Sequence, residues 1–269
     1  MALFTLMVPD GVNAQQECGA AERPCAVADG SYQLFSPLTL PRDGKVKALV
    51  YFHGWRGTGA GVIGNKGLQE IATRYDLLLV APNGRNRTWA HNGSPSQARD
   101  DLAFIDTVLE DIIDDHNVDP RRIYAAGFSQ GGSMVWDLIC RRPERFAGFA
   151  PIAGAFWHPQ PVECDGGGRA PVVHYHGTGD GVVPMTGRPI GSAYRQGDVR
   201  YSIDTLAQAN QCPAARQITP ADSELSCQDW SGCGNGGGIQ LCLHDGGHIR
   251  PPGWFDRAAD WWGLKPLNP

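Results

Sequence analysis

The chain has 269 residues, 42% of them hydrophobic, which is enough for a sizeable core and fits one α/β domain or at most two small ones. A net charge of −5 with no basic cluster argues against nucleic acid or an anionic membrane as the main partner. No apolar stretch approaches the length of about 20 residues that spans a bilayer.

At the start, Ala2 to Val8 reads as a short apolar core, and Val12-Asn13-Ala14 has the small residues of a cleavage site. No Lys or Arg precedes Arg23, so residues 1–16 read either as a signal remnant or as a disordered tail. Residues 17–269 then form a single catalytic domain.

From about residue 46 short apolar runs alternate with helical periodicity, the mark of a mostly parallel sheet covered by helices. Val46 to Phe52 is a buried strand ending in His53-Gly54, and Leu77 to Ala81 is a second, closed by Pro82-Asn83-Gly84. In the stretch from Arg99 to Asp115, Leu102, Ile105, Val108, Leu109 and Ile112 repeat at helical spacing; the acidic residues between them are expected to form a solvated face. A strand from Arg122 to Ala126 precedes a helix from Gln130 to Cys140. Phe146–Ile152 and Pro171–His176 are further strands, Tyr201–Ala209 is a helix, and Trp254–Trp262 is the last helix. Ser223–Trp230 and Ile239–His244 pair as a hairpin. Residues 83–97 and 159–168 are loop-like.

Eight cysteines suit four disulfides in an oxidising compartment, which points to a secreted or periplasmic protein. The nearest pairs, Cys18/Cys25 and Cys227/Cys233, lack the close spacing of zinc ligands, so no metal site is expected. Cys18 with Cys25 closes a small loop, and Cys140 with Cys164 ties a helix to a later loop. Cys227 and Cys242 are equidistant from the hairpin centre, which leaves Cys212 for Cys233.

Chemistry concentrates in Gly127-Phe128-Ser129-Gln130-Gly131, a G-x-S-x-G run between a strand and a helix. In that context the serine occupies a strained turn, and a Cβ on either glycine would strike neighbouring backbone. A serine hydroxyl attacks only when a base removes its proton and a third group fixes that base. Asp180 lies on the glycine-rich loop closing the strand Pro171–His176, where catalytic groups gather in open parallel sheets; Asp165 and Asp198 are weaker rivals. His248 follows Gly246-Gly247 on a loop and can reach over the sheet edge. His244 sits in the strand, His53 reads as structural, and His91, His116 and His158 default to surface or loop roles. The oxyanion needs preset N–H donors: the amide after the nucleophile, on Gln130, and one from the His53-Gly54-Trp55 turn, assigned to Trp55. Trp55, Trp89 and Trp157 are candidate substrate contacts, whereas Trp136, Trp261 and Trp262 suit helix packing.

His53-Gly54-Trp55, Gly127-Phe128-Ser129-Gln130-Gly131-Gly132, His176-Gly177-Thr178-Gly179-Asp180 and Gly246-Gly247-His248, in this order, resemble the blocks of one family. It is the family of secreted polyhydroxybutyrate depolymerase-like esterases, which also holds feruloyl and acetylxylan esterases. The resemblance spans about Cys18 to Trp262 and implies an α/β-hydrolase fold, a cofactor-free serine esterase, and Ser129, Asp180 and His248 as nucleophile, acid and base. Gly181 departs from the proline that relatives often carry after the aspartate. The 269 residues include no appended polymer-binding domain, so attack on solid polyester is not expected. The leading expectation is hydrolysis of short-chain or 3-hydroxyacid esters, small or oligomeric. The alternatives are a feruloyl or acetylxylan esterase and, from another class, a catalytically silent carbohydrate- or lipid-binding module. Oligomeric state is not legible.

Overall fold

The computed structural model describes residues 18–37, 44–164, 170–218, 225–234 and 237–267. The expected signal remnant, residues 1–16, lies outside the described residues, as does Asp165. The strands are β1 (Cys25–Val27), β2 (Gly30–Phe35), β3 (Val46–Phe52), β4 (Leu77–Pro82), β5 (Val118–Phe128), β6 (Gly148–Ile152), β7 (Val172–Gly177), β8 (Pro189–Ile190), β9 (Tyr194–Arg195), β10 (Arg216–Ile218), β11 (Ser226–Trp230) and β12 (Ile239–His244). Ten of them form one sheet in the order β1-β2-β4-β3-β5-β6-β7-β12-β11-β10, and β8 and β9 form a small ribbon. The six central strands from β4 to β12 run parallel, and antiparallel pairs flank them at both ends.

The helices are α1 (Gly59–Ile63), α2 (Lys66–Tyr75), α3 (Asp101–Asp114), α4 (Gln130–Arg141), α5 (Val199–Ala209) and α6 (Trp254–Trp261). Period-2 alternation along the strands explains the two layers they form. In β3, Ala48, Val50 and Phe52 pack with α3, α4 and α5, while Leu49 and Tyr51 face α1, α2 and α6. Because both faces of the central strands are covered, these strands read as continuous apolar runs instead of alternating ones.

The apolar stripe predicted for α3 is buried, but its acids are not simply solvated. Asp101 is buried and paired with Arg99, Asp106 meets Arg142 (2.8 Å), Glu110 meets Arg145 (2.6 Å), and Asp111 accepts from the Tyr32 hydroxyl. Apart from Arg99, two residues from Asp101, the partners come from other segments, so spacing along the helix alone could not reveal them. Helix α2 went unread although it carries its own signals: Asn65 caps it by accepting from Leu68 N–H (3.1 Å), and Leu68, Ala72 and Tyr75 share its buried face. Four disulfides join Cys18–Cys25, Cys140–Cys164, Cys212–Cys233 and Cys227–Cys242. The last links directly opposed residues of β11 and β12.

Candidate active site

The sheet brings the four sequence blocks to one edge. They follow the carboxyl ends of β3, β5, β7 and β12, all parallel, so His53–Gly57, Ser129, Asp180 and His248 emerge on the same side.

Ser129 stands between β5 and α4 with φ 61° and ψ −123°, a conformation that costs a non-glycine residue of order 1–3 kcal/mol. The turn holds because the chain is closely packed around it. A Cβ on Gly127 would lie 2.3 Å from Gly131 O, and one on Gly131 would lie 2.0 Å from Phe52 O. The Ser129 backbone is fixed by its N–H donating to Ile152 O (2.9 Å), and its side chain lines an open cleft of about 1000 Å³ together with His248. Among the described residues no hydrogen bond links the Ser129 hydroxyl to His248. The imidazole lies instead beside Phe128, with ring centroids 4.7 Å apart.

Asp180 and His248 do meet: Nδ1 of His248 is 2.6 Å from Asp180 Oδ2. The other carboxylate oxygen accepts from the amides of Val182 and Val183, both at 2.8 Å. Burial alone would raise the pKa of Asp180, but the bonds from His248 and these amides outweigh it and hold the carboxyl below its usual range. The carboxylate is fully buried, whereas His248 keeps 16% of its side chain exposed toward the cleft.

Two backbone amides are the candidate oxyanion donors around Ser129. Gln130 opens α4, so its N–H is one of the unpaired donors of a helix start. The Trp55 N–H has no acceptor among the described residues, while its neighbours are tied down: Arg56 N–H to Arg87 O (2.8 Å) and Gly57 N–H to Gly54 O (2.9 Å). A Cβ on Gly54 would come 3.4 Å from Ser129 Cβ, so this loop lies against the elbow. His53 braces it. Its Nε2 accepts from Gly84 N–H (3.1 Å) and its Nδ1 donates to Gly54 O (2.8 Å), a neutral tautomer consistent with burial lowering its pKa.

The tryptophans divide. Trp55, 64% exposed, stands at the cleft mouth with the Arg56 guanidinium over its ring (4.2 Å), and Trp157 lines the interior. Trp89 does not contact the cleft, which corrects the expectation of a substrate contact. It is fully buried, packs edge-on against Phe52, and donates from Nε1 to His53 O (2.8 Å), so it supports the loop after β3 from behind.

The rival acid Asp198 caps α5 by accepting from Tyr201 N–H (2.9 Å). His244 is buried and accepts from Gly246 N–H at Nδ1 (3.0 Å). His91, expected at the surface or in a loop, sits in a loop but is buried, with Nδ1 2.6 Å from Asp137 Oδ2. Cys18, Cys25 and His116 lie close together, but both sulfurs are spent in a disulfide and cannot act as thiolate ligands. His176, with Nε2 3.6 Å from Asp180 Oδ2, and His174 behind it on β7 went unread as neighbours of the acid. Their alternation on β7 was the available signal.

A family model described as phospholipase/carboxylesterase matches residues 80–196. A probable feruloyl esterase C of Aspergillus clavatus is 31% identical over 214 residues, covering 76% of this chain and 70% of that protein. A feruloyl esterase D of Neurospora crassa is 31% identical over 206 residues, covering 74% and 64%. Among solved structures, an acetyl xylan esterase from Aspergillus awamori superposes with a TM-score of 0.65 at 16% identity, covering 88% of this chain and 94% of that one, a likeness of fold. These relatives favour the cell-wall esterase alternative over the polyester reading and leave the silent binding module without support. The four disulfides fit an extracellular setting, and no helix among the described residues is long and apolar enough to cross a membrane. The chain belongs to the feruloyl esterase-like family of α/β-hydrolases and hydrolyses carboxylic esters.

Proposed function

We propose that this is a secreted feruloyl-type esterase that releases aromatic acids from plant cell-wall polysaccharide through Ser129, His248 and Asp180. The observation that carries the reading is the cleft itself. About 1000 Å³ in volume, it holds both Ser129 and His248 and is walled by Phe128, Trp157, Val183 and Ile190. Such walls suit a planar aromatic acyl group. An acetyl group would leave most of that space unfilled, which places acetylxylan second. Short 3-hydroxyacid esters, the leading expectation from sequence, come third because the similar proteins are feruloyl esterases.

In this mechanism the Ser129 side chain turns toward His248 once substrate fills the cleft; catalytic hydrogen bonds commonly tighten only in the complex. Ser129 Oγ attacks the ester carbonyl carbon as its proton passes to His248 Nε2. The oxyanion forms against the Trp55 and Gln130 amides, each such donor lowering the barrier by roughly 3 kcal/mol. Asp180 holds the ring through Nδ1 and offsets the charge of the imidazolium. The intermediate collapses by breaking the bond to the alcohol, which leaves with the proton from His248. Water then gives a proton to His248 and attacks the acyl-serine. Collapse of the second intermediate releases the acid and returns the proton to Ser129.

A substrate panel tests the reading. The kcat/KM for methyl ferulate is expected to exceed that for 3-hydroxybutyrate oligomers and for acetylated xylan. Faster cleavage of the hydroxybutyrate oligomers would overturn it.

A further inference from the structure

We infer that His176 is a positioning residue for the catalytic acid: it clamps the Asp180 turn through the Val183 carbonyl and presents the positive end of its ring dipole to the carboxylate. The inference rests on the proposed roles of Asp180 and His248.

His174 and His176 are two apart on β7, so they share one face of the strand, and both are fully buried. His176 Nε2 is 2.7 Å from Val183 O. A carbonyl only accepts, so Nε2 carries the proton. On the other side, His176 Nδ1 is 3.0 Å from His174 Nε2. Burial lowers the pKa of both rings, so both are neutral. The tautomers then follow: His174 Nε2–H donates to His176 Nδ1, and His176 Nε2–H donates to Val183 O. The atom left over, His174 Nδ1, has no partner, and in this arrangement it is a bare lone pair and not a stranded N–H.

The chain of dipoles ends beside Asp180. His176 Nε2 is 3.6 Å from Asp180 Oδ2, too far for a hydrogen bond, which leaves that oxygen to His248 at 2.6 Å. Fixing Val183 O also fixes the neighbouring amides of Val182 and Val183 that bind the other oxygen. The ionisable groups facing His176 are His174 on its own strand, Asp180 and His248 on the catalytic loops, and His244 at the end of β12. While His248 is neutral, a buried carboxylate at this point has no cation to balance it, and the oriented imidazole supplies part of that compensation.

His176→Leu removes the donor, whereas His176→Gln returns an N–H near the same place. For His176→Leu, kcat is expected to fall about 10–100-fold, as for a catalytic group displaced by a fraction of its contact distance, with KM nearly unchanged. The acid limb of kcat/KM should shift, because both the seating of Asp180 and the compensation of its charge change. His176→Gln should recover most of both. Equal behaviour of the two variants, or a lowered melting temperature with an unmoved pH profile, would overturn the inference. If His176→Leu does not fold, 15N NMR of the unaltered enzyme decides. A neutral Nε2–H tautomer is expected at about pH 7, and an imidazolium or an Nδ1–H tautomer there would contradict it. Asp180→Asn, measured alongside, separates the two levels: retained activity there would sink the assignment of the acid itself.

Discussion

Among the described residues, two histidine–aspartate pairs share the same Nδ1–Oδ2 distance, 2.6 Å: His248–Asp180 and His91–Asp137. They are built inside out relative to each other. In the first, the carboxylate is wholly buried and the imidazole keeps an open edge in the cleft; in the second, the imidazole is 1% exposed and the carboxylate 19%. His91 Nε2 has no partner, and its ring lies parallel to Trp157 with centroids 6.2 Å apart. A short histidine–carboxylate contact therefore does not by itself make a catalytic pair. What marks the first pair is an open imidazole edge in a cleft that also holds a serine at a strained turn, with two amides beside it.

The comparison can be broken most strongly at the nucleophile. Ser129→Ala should lower hydrolysis of p-nitrophenyl butyrate by about 10⁴-fold or more while circular dichroism and melting stay unchanged. Substantial residual turnover would remove Ser129 from its role. Asp180→Asn should cost about 10⁴-fold in kcat, because the amide favours the wrong imidazole tautomer. Asp137→Ala is the contrasting case. Its expected signature is a loss of about 1–3 kcal/mol in urea stability, from stranding a buried imidazole donor, with kcat on a small ester changed little. Similar kinetic losses in both variants would erase the distinction drawn here.

Legibility followed the same divide. The four blocks could be read because backbone sterics write themselves into local sequence: Gly127 and Gly131 exist where a Cβ would lie about on top of a carbonyl, at 2.3 and 2.0 Å. The Cys227–Cys242 pairing was readable because hairpin symmetry fixes which residues face each other. His91 and Trp89 were not readable. Both lie in the aperiodic stretch 83–97, and their burial depends on Asp137 and His53, distant in sequence. The acids of α3 failed for the same reason, since Arg142 and Arg145 approach from another segment. Substrate preference was legible only as the feruloyl or acetylxylan alternative that the family resemblance carried, behind a leading expectation that the relatives do not favour; ranking the acyl groups depends on the volume and walls of a cleft assembled from separate loops.

Acid sensitivity sharpens the account of the buried rings. Burial lowers the pKa of His53, His174 and His176 below the ordinary value of 6.5, so the folded protein keeps them neutral while the unfolded chain protonates below that pH. The unfolded state then binds more protons, and stability falls as pH drops below about 6.5, by up to about 1.4 kcal/mol per pH unit for each ring. Asp180, held low, adds a loss only at more acidic pH, below its ordinary value of 3.8. Urea midpoints at pH 7.5 and 5.5 check this, and equal midpoints would contradict it. The smallest expected effect separates the two inner tryptophans. Trp157→Ala should reduce the preference for methyl ferulate over p-nitrophenyl acetate by about tenfold, equivalent to about 1.4 kcal/mol. Trp89→Phe should lower the melting temperature through one lost hydrogen bond, about 1 kcal/mol, with acyl preference intact.

The most direct test of the central claim is a crystal structure of the protein after reaction with an alkyl fluorophosphonate. The account predicts phosphorus bonded to Ser129 Oγ, one phosphoryl oxygen about 2.7–3.1 Å from the Trp55 and Gln130 nitrogens, and His248 turned onto the adduct while still held by Asp180. An adduct on another residue, or a phosphoryl oxygen facing away from both amides, would contradict it.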